Sequence, residues 1–225
     1  MSTPRVPVAI PGPDIPADGV PRWPAIVALL VVALLLTFVS NQLAFGPTLL
    51  PLAVVIVLLV PLMIAIRLDR HGWRRALGTL ALGTVTATVA ASTIYLVYQL
   101  VSGKITAPSL LTGAAGLWAA NLVTFGVWYW EIDGGGPSKR RRDGHVSTDF
   151  LFPQLQVGDG TSSHGWWPTF IDYLFVAFNA STAFSPTDTL LLSRRAKILM
   201  MIQATISFVT VIVIAARAIN TLSAT

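Results

Sequence analysis

The sequence predicts an all-α fold: a polytopic helical membrane protein with five spans plus one re-entrant half-helix. Three observations predict it. Of 225 residues, 54% are hydrophobic and 11% charged, with mean hydropathy +0.70, outside the range of soluble globular domains. Charge-free apolar runs recur at the length that a hydrocarbon core of roughly 30 Å requires of a helix. A single topology also places thirteen of the fifteen Lys and Arg residues on one face, as expected for the cytoplasmic side of a membrane.

The elements follow in order. Residues 1–23 are rich in proline and carry Asp14 and Asp18, which predicts an extended, disordered tail. They lack the pattern of a signal peptide, since the first apolar run starts late and no small-residue cleavage site follows it. The runs 24–45, 48–66, 76–102 and 107–130 are the first four spans, so 24–130 forms a four-helix membrane bundle. Trp128, Tyr129, Trp130, Trp166 and Trp167 read as interfacial anchors. Thr112, Gly116 and Ala120, with Gly113 beside them, form a small-xxx-small row that permits close helix contact, within one subunit or between subunits.

Residues 131–165 form a cytoplasmic loop. Its start, Glu131 to Pro137, reads as a flexible linker, because a phosphate-binding glycine loop needs a strand before it and a helix after. His145, Asp149, Asp159 and His164 are residue types that suit zinc or manganese, but their spacing is irregular and no metal or other cofactor is expected. The absence of cysteine excludes disulfides, thiol chemistry and thiolate metal sites. No nucleophile–base arrangement or carboxylate pair stands out, so an enzyme is not predicted. The net charge of +5 resides in short loops beside spans, which points to anionic lipid headgroups rather than to nucleic acid.

The final stretch, 166–225, is the informative one. Phe170 to Phe178 is about half the length of a crossing helix, and Pro186 removes a backbone donor and disfavours helix at Ser185. The segment therefore reads as a re-entrant half-helix, 168–181, with a non-helical return, 182–190, and a last span over 198–219. A sixth, broken span through 168–192 is the alternative, but it moves Arg194, Arg195 and Lys197 to the opposite face. With re-entrance, the N-terminus is cytoplasmic and the C-terminus outside. Twelve arginines against three lysines, with abundant alanine, suggest a GC-rich bacterial source and hence a bacterial plasma membrane.

Unpaired backbone cannot face hydrocarbon, so the return must be buried in protein or must line water. Asn179, Ser181, Thr182, Ser185, Pro186, Thr187 and Asp188 are accordingly the candidates for lining a pore or selecting an ion. They also suit a plainer role, satisfying a broken backbone. Asp188 either faces a wet pathway, or caps a turn with Thr187 or Thr189, or pairs with Arg194 or Arg195. Asp172 favours the positive N-terminus of the half-helix.

A half-helix, a polar return with an aspartate and a long last span resemble the pore loop and inner helix of tetrameric cation channels, over roughly 166–220. Ser181-Thr182-Ala183 sits where those channels carry a Thr-Thr-Val-like start, and Asp188 where they carry the aspartate after the filter. Phe184-Ser185-Pro186-Thr187 contains no glycine, so a potassium filter of stacked carbonyls is not supported. Over about 120–222 the chain also resembles a family of bacterial integral membrane proteins of unknown function. The residues concerned are Asp172-Tyr173, Phe175 to Phe178, Pro186-Thr187-Asp188, Ser193-Arg194-Arg195 and Ala215 to Asn220. That resemblance implies a shared architecture and no activity.

Two functions are consistent with these features. One is a homo-oligomeric ion channel favouring cations, monovalent ones as expected partners, with 181–188 at the constriction and the last span lining the pore. The other is a non-conducting accessory or scaffold protein whose re-entrant segment packs structurally. Only the first needs a symmetric assembly in the bilayer.

Overall fold

A computed structural model of the chain describes residues 23–44, 46–67, 71–140, 148–156, 166–186 and 188–222. Residues 1–22 of the expected tail 1–23, together with His145, Asp159, His164 and Thr187, lie outside the described residues, and Trp23 already belongs to the first helix. The fold is mostly helical. Its long helices are α1 (Trp23–Leu43), α2 (Leu50–Arg67), α3 (His71–Ser102), α4 (Ala107–Ile132) and α8 (Arg194–Leu222). Between α4 and α8 lie a 3-10 turn (Asp133–Gly135), α5 (Pro137–Arg140), β1 (Phe150–Leu151), α6 (Pro153–Gln156), α7 (Phe170–Thr182) and β2 (Leu190–Leu191).

Four of the described helices are long and apolar enough to cross a membrane: Trp23–Leu43, Arg75–Ser102, Ala107–Gly135 and Arg194–Ile219. The expected second span falls on α2, whose 18 residues reach about 27 Å; it is not one of those four. The chain is thus a multi-pass helical membrane protein.

Helix α4 is the centre of the bundle and packs against α1, α3, α7 and α8. Small residues make this possible. A Cβ on Gly113 would stand 2.8 Å from Leu43 Cδ2, and one on Gly116 would stand 3.1 Å from both Phe38 and Val39. The small-residue row therefore seats α1 against α4 within one subunit. Further along, a Cβ on Gly126 would meet Leu174 Cδ1 at 3.0 Å, so the same device brings α7 close.

Contacts orient the helices. Leu43, at the end of α1, accepts a hydrogen bond through its carbonyl from Gln99 Nε2, at the end of α3 (3.1 Å). The start of α4 lies beside them, at Gly113. At the other end of α4 gather the 3-10 turn, β1, the start of α7, β2 and the start of α8. Phe150 pairs with Leu191 and Leu151 with Leu190 in an antiparallel two-stranded ladder. Trp130 meets Phe170 edge-on.

From that end α7 descends beside α4, from Phe170 near Trp130 to Ser181, whose carbonyl accepts from Trp118 Nε1 at 3.3 Å. The ring of Phe184 then packs edge-on against Phe208, thirteen residues into α8 from Arg195 and so about 20 Å along it. By Leu190 the chain is back beside Phe150 and Leu151. Both limbs of the hairpin thus open at one end of α4.

Candidate functional site

Helix α7 begins with a capping box. Asp172 Oδ2 accepts from the backbone N–H of Thr169 at 2.6 Å and from its hydroxyl at 2.8 Å, and the Asp172 N–H reaches the Thr169 side chain in return. This satisfies donors that a helix start leaves open and puts an acid at its positive pole. Asp172 thus occupies the helix-terminal position expected for it.

Two buried polar clusters hold the hairpin. The first is built on Asp133, which is 1% exposed. Gly134, Gly135 and Gly136 all adopt positive φ (57°, 80° and 103°), a region open to glycine at little cost. They wrap the end of α4 so that the Asp133 carboxylate faces inward. Asp133 Oδ1 accepts from the N–H groups of Asp149 (2.7 Å) and Phe150 (3.2 Å), and Oδ2 accepts from the Tyr173 hydroxyl (2.5 Å). Arg140 donates to the carbonyls of Trp130 (2.9 Å) and Asp133 (3.0 Å) and lies 4.9 Å above the Tyr173 ring. The stretch expected to be a flexible linker is therefore a built turn.

Asp149 completes the cluster. Arg195 donates to both its oxygens, Nε to Oδ1 at 2.6 Å and Nη2 to Oδ2 at 2.5 Å, and the Gly134 N–H adds a bond of 3.1 Å. Burial pushes the Asp149 carboxyl up, but the bonds from Arg195, Ser193 and Gly134 outweigh it and hold the group below the usual carboxylate range. Two carboxylates and two guanidiniums compensate one another: Asp133, Asp149 and Arg140 are buried and need such partners, and Arg195 reaches Asp149 from the exposed start of α8. Arg195 thus takes Asp149 as its partner; a pair with Arg195 is only one of the roles the sequence leaves open for Asp188. The same bonds occupy the one described member of the metal-like quartet. Among the described residues no group of three or more His, Cys, Asp or Glu comes together.

The second cluster lies in the bundle interior. Gln203 of α8, fully buried, donates through Nε2 to the Ala177 carbonyl (2.7 Å) and to Ser181 Oγ (2.8 Å), and accepts from the Tyr129 hydroxyl. Asn121 Nδ2 bonds the Gln203 carbonyl (3.1 Å) and Ser207 Oγ (2.8 Å). One amide therefore joins α4, α7 and α8. Tyr129 is fully buried here and Trp130 is 3% exposed, while Trp128 donates to Thr86 Oγ1 at 2.8 Å. Tyr129 and Trp130 thus face the protein interior, contrary to the interfacial placement expected of them, whereas Trp128 is half-buried.

The candidate lining residues separate in space. Ser181 points into the core on Gln203 and leaves the exposed set. Thr182 is exposed, and its hydroxyl bonds back to the Phe178 carbonyl at 2.9 Å. Asn179, Ser185 and Pro186 are half-buried, and Asp188 is exposed. Arg194 is exposed at the start of α8. Phe184 takes φ +53°, a left-handed conformation that costs a bulky residue free energy and persists where surrounding contacts enforce it. The Thr189 N–H closes the return onto the Pro186 carbonyl at 3.4 Å.

Reading the sequence missed Asp133, Arg140, Tyr173, Asn121, Tyr129 and Gln203 as structural centres. For Asn121 and Gln203 a signal existed, since an amide in the middle of an apolar span must find partners across helices. No protein-family model, curated protein or solved structure matches the chain.

Proposed function

We propose that the protein is a pore-loop-like integral membrane protein that assembles as a homo-oligomeric ion channel favouring cations. In this reading the chain makes five crossings with a cytoplasmic N-terminus, α2 being the second, and α7 with its return re-enters from the cytoplasmic face of the plasma membrane. The supporting observation is the exposure of Ala183, Phe184 and Asp188 in the non-helical turn that follows Thr182, the last residue of α7, about 20 Å along α8 at Phe184. Such backbone is not tolerated against lipid, so neighbouring copies or a water-filled passage must cover it. Asp188, as a ring of fixed negative charge around a symmetry axis, would favour cations.

Reconstitution into liposomes, with particle symmetry measured in the same preparation, tests this reading. A symmetric oligomer that passes monovalent cations is expected. A monomer that passes none refutes it. One observation favours the second reading, a non-conducting accessory or scaffold protein: the outward face of α8 carries exposed Ile198, Met201, Phe208 and Ile212, which gives a passage little polar lining.

A further inference from the structure

The first turn of α8 carries three cations, Arg194, Arg195 and Lys197, and no acid. The positive pole of a helix disfavours cations unless anions stand close by. Asp149 compensates Arg195. Arg194 and Lys197 are both exposed, and among the described residues neither has an acidic partner. Three positions apart, they share one side of the helix, where like charges repel.

Directly beneath them that side turns apolar. Ile198 is 57% exposed and Met201 is 68% exposed, so the spacing 194, 198, 201 runs a cationic turn into a bare hydrophobic stripe. An apolar helix of this length places its first turn at headgroup level. A charge pair above an apolar stripe matches an anionic phospholipid in both parts, with phosphate against the cations and acyl chain along the stripe.

We propose that the first two turns of α8 bind an anionic phospholipid, its headgroup held by Arg194 and Lys197 and its chain by Ile198 and Met201. This site needs Ile198 and Met201 on a lipid-facing side of α8, so any passage must run along another face of that helix.

Thermal unfolding of delipidated protein in nanodiscs tests it, comparing phosphatidylcholine alone with a mixture containing phosphatidylglycerol. The anionic lipid should raise the midpoint by about 4–8 °C, from two cations near an anionic surface. The double variant Arg194→Gln/Lys197→Gln should lose most of that rise while keeping its midpoint in phosphatidylcholine. Each single variant, retaining one cation, should lose about half, and serves if the double variant cannot be purified. Lys104→Gln, the same charge change at the opposite end of the bundle, should keep the whole rise. Equal midpoints in the two lipids overturn the proposal, as does a full response in the double variant. Inorganic phosphate reproducing the rise would show that a soluble anion, not a lipid, is the ligand.

Discussion

The Gln203 side chain donates to the Ser181 hydroxyl at 2.8 Å, across 22 residues of sequence and from one helix to another. The same amide nitrogen reaches the Ala177 carbonyl, so α7 is gripped at two successive turns. The position of α7 along the bundle is thereby set by α8.

Replacing Gln203 by leucine keeps the volume and removes every one of these bonds. Tyr129 and Ser181 would be left with buried hydroxyls, at roughly 1–3 kcal/mol for each unsatisfied group, or nearer 0.6–2 kcal/mol where other membrane partners compensate. A lowered unfolding midpoint in detergent is expected. Ser181→Ala should cost less, and the double variant should cost less than the two together, because they share a bond. Strict additivity would show that the bond is not formed.

Asp149 predicts a pH dependence. Its carboxyl is held below the ordinary value, so the stability it contributes is fully present above about pH 4, the unfolded value. It is lost as pH falls through the lower folded value. The difference in unfolding free energy between the natural protein and Asp149→Asn should be constant from about pH 7 to about pH 5 and shrink below about pH 4. A difference that grew on acidification would contradict the ion pair with Arg195.

Gly126→Leu should push α7 off α4, since even a Cβ there stands 3.0 Å from Leu174 Cδ1 and 3.4 Å from its Cα. Overpacking of this kind costs about 1–3 kcal/mol. Thermal unfolding measures the loss, and Gly78→Leu, where nothing lies within 4 Å, provides the control.

Asp188→Asn separates conduction from folding. The side chain is exposed, where a charge partner contributes only about 0–1 kcal/mol, so stability should fall by no more than about 1 kcal/mol. If the residue lines a cation path, the preference for cations over anions should fall in liposome flux. Unchanged selectivity in a conducting protein would remove Asp188 from the pore.

Single cysteines report the sidedness, cleanly because the chain has none of its own. With Lys104→Cys and Lys139→Cys, an impermeant thiol reagent added to intact cells should label position 104 and leave 139 unmodified. The reverse pattern overturns the proposed orientation.

The long helices were legible because hydrocarbon imposes a length and forbids charge, and both are visible in one dimension. So was the short helix α7: a helix expected over 168–181 runs Phe170–Thr182, bounded by its short apolar run and by Pro186. What escaped was tertiary. Asp133 and Asp149 lie sixteen residues apart, and their meeting depends on three glycines turning left-handed, which in sequence look like slack. In sequence Asp188 is the acid nearest to Arg195, whereas its partner Asp149 lies 46 residues away. Tyr129 and Trp130 resemble belt aromatics until α7 and β1 are laid against them.

The anchoring partners of α7 imply an order of events during synthesis. A helix of 13 residues is too short to be inserted into a bilayer as a span in its own right. Gln203 and Arg195, which grip α7 and its base, are made only after α7 itself. Until they arrive, the hairpin has only its contacts with α4, at Trp118 and Gly126, and lacks the Gln203 bonds to Ala177 and Ser181. Its entry between α4 and α8 is therefore a late step, after the last helix is in place, and truncation within α8 should leave α7 open to proteases that cannot reach it in the complete chain.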